Sequence, residues 1–466
     1  MKKMSKSNTV SRSGSGLSSP LLILGACLLA ISLSMVLVLG GVQRLALILA
    51  GAMVLILSLF DPIYPISIYF LHSALQEFLG FPDYISTITG PALICCAFVG
   101  ILRERYARRT SIRTYLVPLD VGVICFSLLV VVSSLLGGGA YYDTYNLLRQ
   151  QIAVLGIYWA IRLGVNSDRQ LRILIWVLVS GNILFAGHDL WNHYTTTGSL
   201  LYLSSPYEFA SLRLRSTLTN ADPNYFAWSL LMPIALVATV GVQGRNWFLR
   251  VLSIPLLAVM LLAVALSFSR GMWLAVFSIV LVLAWQSRKQ LGAAGLIPIV
   301  VGAILIGYLG PDLFLKRVQG FGSLDPFGDR LKYASLAISI WQDNWLIGIG
   351  YGRFRFYNPT GQVAHNTFLG NFAELGTFGG LLFIACVLGA CWYYIQAHKQ
   401  ATAANSKELG LMIQGFQVGF IAQLVGMASF TADFGADVIF CFVTAVATLM
   451  IARRLQDRVN TPEKSK

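Results

Sequence analysis

Long runs of apolar residues, separated by short polar breaks, set the organisation of this chain. A helix needs ~20 mostly apolar residues to cross a bilayer. Fourteen runs approach that length, at 21–39, 45–60, 63–79, 89–102, 117–136, 147–163, 171–186, 225–242, 248–267, 272–285, 291–308, 368–395, 411–430 and 438–451. Several are short or closely spaced, notably 63–79 with His72 and Glu77 inside it, and merging them gives twelve. Either even count returns both ends of the chain to one side of the membrane. The pattern predicts an all-α polytopic transmembrane helical bundle of 12–14 spans. Its expected parts are a disordered basic tail (1–20), N-terminal spans (21–188), an outer loop (189–224), spans interrupted by a Ser-Arg-Gly turn (225–310), a larger outer loop (311–366), C-terminal spans (367–452) and a second tail (453–466). The first run exceeds the ~7–15 apolar residues of a cleavable signal and reads as a retained span. Within the larger loop, 331–345 has apolar residues near helical spacing and two tryptophans. It reads either as an interfacial helix or as a loop helix packed on the bundle.

Composition agrees. Hydrophobic residues make up 56% of the 466 positions and charged residues only 12%, against roughly 25% charged in soluble proteins. Such a chain cannot cover itself in a water-facing surface, which excludes a soluble multidomain enzyme. The seven cysteines lie in or beside apolar runs without metal-type spacing, and read as small buried hydrophobes.

The net charge of +14 raises the question of nucleic acid, but no basic stripe interleaved with aromatics lies on a polar domain. Position is more informative. Basic loops stay cytoplasmic, and with the N-terminal tail inside, twenty-three of the 34 Lys and Arg residues fall in the tails and alternate loops. Nine break that rule: Arg213, Arg215, Arg270, Lys316, Arg317, Arg330, Lys332, Arg353 and Arg355 fall on the outer side. Their placement points to an anionic ligand handled there.

Three constellations carry candidate chemistry. In Arg213-Leu-Arg-Ser-Thr-Leu-Thr-Asn-Ala-Asp-Pro-Asn224, the guanidinium forks suit phosphate oxygens. The same arginines could equally snorkel to lipid or pair with Asp222, and Asp-Pro-Asn is ordinary turn and helix-start chemistry. In Ser269-Arg-Gly271, one arginine sits between two apolar runs, where a charge is costly unless paired, functional or turned to headgroups. The third is Gly348-Ile-Gly-Tyr-Gly-Arg-Phe followed by Ala364-His-Asn-Thr-Phe-Leu-Gly-Asn-Phe-Ala-Glu-Leu-Gly-Thr-Phe-Gly379. His365 there opens a span, as a cap, an interfacial residue or a base for a sugar hydroxyl. Glu374, nine residues on, would lie about 13.5 Å along a regular helix. It is therefore expected to be a buried structural acid bonded to another helix. The Gly-x-Gly lacks the strand–turn–helix unit of a nucleotide loop.

Taken together, Arg-Leu-x-Ser-Thr-Leu with Pro-Asn before a span, Ser-Arg-Gly between spans, and Gly-x-Gly then His-Asn-x-x-Leu with Glu-x-Gly-x-x-Gly entering a late span resemble the O-antigen ligase and polymerase family. The likeness is best over 213–380. It implies a metal-independent, cofactor-free glycosyltransferase of the bacterial inner membrane, acting at the periplasmic face on an undecaprenyl-diphosphate-linked glycan donor. The acceptor would be a lipid A core or a lipid-linked repeat, with no nucleic acid involved. By position, Arg270 matches the arginine implied to bind the donor diphosphate, and Arg213 or Arg215 the earlier one. His365 matches the implied general base, with Asn366, Glu374 and Arg330 as possible support. Ligase and polymerase share these motifs.

The competing class is a secondary transporter or flippase of lipid-linked glycans. That class expects ionisable residues or broken helices near mid-membrane. His72, Glu77, Asp120, Arg149 and Glu374 instead lie near predicted span ends, with Glu374 deepest.

Overall fold

The computed structural model describes residues 43–79, 83–107, 116–136, 141–198, 222–267, 269–291, 326–432 and 435–460. Among them every regular element is a helix. In chain order these are α1 (Gln43–Phe60), α2 (Ile63–Leu79), α3 (Asp83–Ala107), α4 (Pro118–Leu136), α5 (Tyr141–Gly164), α6 (Asp168–Thr197), α7 (Pro223–Ser229), α8 (Leu231–Leu236), α9 (Trp247–Leu266), α10 (Arg270–Leu291), α11 (Pro326–Asp343), α12 (Phe354–Tyr357), α13 (Thr367–Ala403), α14 (Lys407–Met427) and α15 (Ala436–Asn460). A π-helical turn, Val237–Gly241, continues α8, so that Pro223–Gly241 makes one apolar segment.

Among the described residues, seven segments are long and apolar enough to cross a membrane: Pro118–Leu136, Asp168–Thr196, Pro223–Gly241, Trp247–Leu266, Thr367–Ala403, Lys407–Met427 and Asp437–Asn460. The chain is thus a multi-pass membrane protein. The other runs on described residues also overlap helices. The tail 1–20, the run 21–39 and all but the first residue of 291–308 lie outside the described residues.

The chain divides into two compact units, Met1–Leu57 and Ser58–Lys466. The described part of the first belongs to α1. In the second, α13 packs on α15, α4, α14 and α11, while α14 also packs on α8 and α10. Trp228, Tyr158, Phe126, Phe383, Phe416, Phe420 and Phe442 are fully buried between these helices. Dispersion and hydrogen bonds hold such a bundle together, because lipid is as apolar as leucine. The buried Asp120 is paired in this way: it takes a hydrogen bond from Tyr158 Oη at 2.5 Å and an ion pair from Arg162 Nε at 3.3 Å.

Cysteine burial departs from expectation. Cys386 and Cys441 are buried, but Cys95 and Cys125 lie on the outside of the bundle. A lipid-facing position is as apolar as a core position, so hydrophobicity does not separate the two.

Contacts at helix ends establish which ends lie together. Ser269 before α10 reaches Asn224 in α7, Tyr225 in α7 reaches Asp437 in α15, and Thr367 of α13 reaches Phe430 after α14. At the other end, Arg172 of α6 pairs with Glu408 of α14, and Arg454 of α15 bonds Asn166 before α6. The described parts of the three candidate constellations therefore share one end of the bundle.

Candidate active site

Asp222 is the cap of α7, its Oδ1 accepting the Asn224 amide at 2.8 Å and Asn224 Nδ2 at 3.0 Å. Pro223 fills the first helical position, which needs no amide hydrogen. Asn224 Oδ1 is then left to accept from Ser269 Oγ at 2.7 Å. Ser269 in turn accepts the amides of Met272 and Trp273 on its carbonyl and starts α10 immediately beside Arg270. A side chain at Gly271 would collide with that of Ser429, so only glycine lets the start of α10 lie against the turn that follows α14.

The same turn holds the histidine. Asn366 caps α13 by accepting the Leu369 amide at 3.0 Å, and its Nδ2 donates to the Ala428 carbonyl at 3.1 Å. Thr367 donates twice to the Phe430 carbonyl, from N at 3.1 Å and Oγ1 at 2.8 Å, and its Oγ1 accepts from Ala432 N at 2.8 Å. Just before these anchors His365 takes a left-handed backbone, φ +50°, uncommon outside glycine. Its ring packs on Tyr333 of α11, with centroids 5.8 Å apart. Its Nδ1 is buried without a hydrogen-bond partner among the described residues.

Electrostatics link these groups. Burial pushes His365 below the ordinary imidazole pKa, the nearby Arg330 guanidinium pushes it further, and Asp222 opposes them. Burial also lowers Arg330, and Arg270 lowers it again, so two guanidiniums lie close enough to repel. The ring at neutral pH is thus an acceptor of protons beside the Arg330 guanidinium, which in turn has Arg270 near it.

Glu374 Oε2 accepts from Gly352 N at 2.9 Å and its Oε1 from Phe354 N at 3.0 Å, so its carboxylate binds the glycine-rich loop and the start of α12. The loop also hangs its Ile349 and Gly350 amides on the carbonyls of Ala373 and Glu374. Gly348 has φ +71° and Gly376 φ +67°. A Cβ at either would strike backbone, that of Glu374 or of Leu346 respectively. Gly376 breaks α13, and Thr377 resumes it with its amide on the Trp345 carbonyl at 2.7 Å. Ala337, Ile340, Ile349, Phe354, Ala364 and Ala373 form a small core under this cap.

The structure therefore brings together Arg270, Arg330 and His365, uses Asn366 to hold the His365 segment, and uses Glu374 to hold the loop. Arg213 and Arg215 lie outside the described residues. Sequence reading missed Asn224, Ser269 and Tyr333 as site residues. The first two lay inside quoted motifs, whereas Tyr333 had no signal beyond its place on a loop helix.

Residues 255–384 match the family described as O-antigen ligase. The match takes in Arg270, Arg330, His365, Asn366 and Glu374, and the chain carries this family's domain there. No curated protein matches the chain.

Proposed function

We propose that the protein transfers an oligo- or polysaccharide from a lipid-linked diphosphate, undecaprenyl diphosphate, to a hydroxyl of an acceptor glycan at the periplasmic face of the inner membrane. The observation that carries this reading is the juxtaposition of two mutually repelling guanidiniums, Arg270 and Arg330, with a histidine held neutral. Like charges brought together cost free energy, and a diphosphate bound by both relieves that cost.

In the proposed step the acceptor oxygen attacks the anomeric carbon and the bond from that carbon to the diphosphate oxygen breaks. The hydroxyl proton passes to His365, and the electron pair leaves with the lipid diphosphate. A sugar hydroxyl is a poor nucleophile and the leaving group gains charge, so a base on one side and fixed cations on the other lower the barrier. The arginines fill the role a divalent ion has in many phosphate sites, which makes the transfer metal-independent in this proposal. Attack opposite the leaving group inverts the anomeric centre.

The test is the product formed by purified protein from lipid-linked repeats, with and without a lipid A core acceptor. Chain growth without the acceptor identifies a polymerase, and product only with it a ligase. Arg270→Ala and His365→Ala should each abolish product while the protein remains folded in the membrane. Normal transfer by either variant refutes that residue's role, and retained anomeric configuration refutes direct displacement.

A further inference from the structure

At the end of the bundle away from His365, a cavity of about 560 Å³ opens between α3, the turn before α6, and the end of α15. Leu409 lies on its wall and Ala428, at the far end of α14, faces the candidate active site. Nineteen helical residues separate the two, about 28 Å.

Four arginines from three elements converge on this cavity: Arg103, Arg169, Arg454 and Arg458. Arg454 is held by the side chain and carbonyl of Asn166, at 3.0 and 3.3 Å. Arg103, Arg169 and Arg458 are exposed and take part in no ion pair with a described residue. The acidic residues on the wall are Asp61, Glu104 and Asp168. Asp61 is already occupied, accepting from Ile63 N and Gln170 Nε2 at 2.9 Å each, and Asp168 sits in the first turn of α6, where the helix dipole favours it. Four guanidiniums against three carboxylates leave this concave site with an excess of positive charge.

We propose that this cavity binds the phosphate headgroup of an anionic phospholipid. Guanidiniums recognise phosphate oxygens by paired hydrogen bonds, and basic pockets between helix ends suit anionic headgroups. A lipid, rather than a free phosphate, is indicated by the rim. Phe60, on the cavity wall, is exposed, and Val99, Leu102 and Tyr106 form an exposed apolar stripe on α3 that runs to Arg103 and Ala107. That stripe offers a path for acyl chains leading to the charged pocket.

The experiment uses the full chain in detergent, titrated separately with phosphatidylglycerol, phosphatidylcholine and inorganic phosphate. Bound lipid is read by native mass spectrometry and stabilisation by thermal melting. Wild type should retain phosphatidylglycerol in preference to phosphatidylcholine. Binding should weaken about fivefold for each arginine removed and about a hundredfold for Arg103→Gln, Arg169→Gln and Arg458→Gln together, with glycan transfer unchanged. The single variants Arg103→Gln and Arg169→Gln supply the same readout should the triple variant not fold. Undiminished phosphatidylglycerol binding by the variants, or equal retention of phosphatidylcholine, overturns the site. Displacement of the lipid by millimolar inorganic phosphate, with equal thermal stabilisation, assigns the pocket to a soluble phosphate and overturns the lipid reading.

Discussion

Ser269 Oγ donates to Asn224 Oδ1 at 2.7 Å across 45 residues of sequence. The bond ties the turn that carries Arg270 to the capped start of α7, so the position of the arginine depends on the Asp-Pro-Asn segment as well as on its own turn. Two stretches far apart in the sequence act as one support.

Ser269→Ala and Asn224→Ala each remove this bond and strand its partner, a loss of about 1–3 kcal/mol. Expressed in the transition state, that is a fall of about 5- to 150-fold in transfer rate. Because both act through one bond, the double variant should lose no more than the larger single loss. A double-mutant cycle measures this, and additive losses would dissociate the two residues.

The acid limb of the pH–rate profile reports His365. Its pKa lies below 6.5 through burial and Arg330, against Asp222. A general base acts only when neutral, so transfer should fall off with a midpoint below pH 6.5. Arg330→Gln removes a lowering influence and should move the midpoint up. Asp222→Asn removes a raising influence, keeps a good helix cap, and should move it down. Shifts in one common direction would detach these residues from the histidine.

Glu374→Gln keeps one acceptor oxygen where the loop needs two. It should cost about 1.5–3 kcal/mol, seen as a lower melting temperature and faster proteolysis within 348–357. The pH midpoint should stay at its wild-type value, since Glu374 is not among the groups that shift His365. A displaced midpoint would give Glu374 a part in the chemistry.

Glycine substitutions should separate strain from contact. At Gly352, φ is +75° and an added Cβ would meet open space, whereas at Gly376, φ is +67° and the Leu346 carbonyl stands in the way. Asparagine tolerates the left-handed region. Gly352→Asn should therefore melt near wild type, and Gly376→Asn should lose at least ~2 kcal/mol of stability or fail to accumulate.

The spans were legible because each needs only a sufficient apolar run, and the start of α7 was legible because Asp-Pro is local capping chemistry. The partner of Glu374 was not. Its bonds to Gly352 N and Phe354 N join positions 22 and 20 apart, from a span to a loop, where helical periodicity carries no information. The packing of Tyr333 on His365 joins a loop helix to the segment before a span across 32 positions, and pairings of that range leave no periodic trace. Arg270 and His365 stood out because charge at the edge of hydrocarbon is rare. Arg330 was legible as one of nine outward basic residues and as a supporting candidate, but its place beside Arg270 was not.

The break at Gly376 also settles a question of length. The segment Thr367–Ala403 has 37 residues. Unbroken, it would be a rod of about 55 Å, well beyond the ~40–45 Å of a whole bilayer with its headgroups. Divided at Gly376, the portion after the break measures about 40 Å, matched to the membrane, and the portion before it is free of that requirement. Bilayer thickness can thus set the position of the long portion without dictating the reach of the short one, at whose start His365 sits.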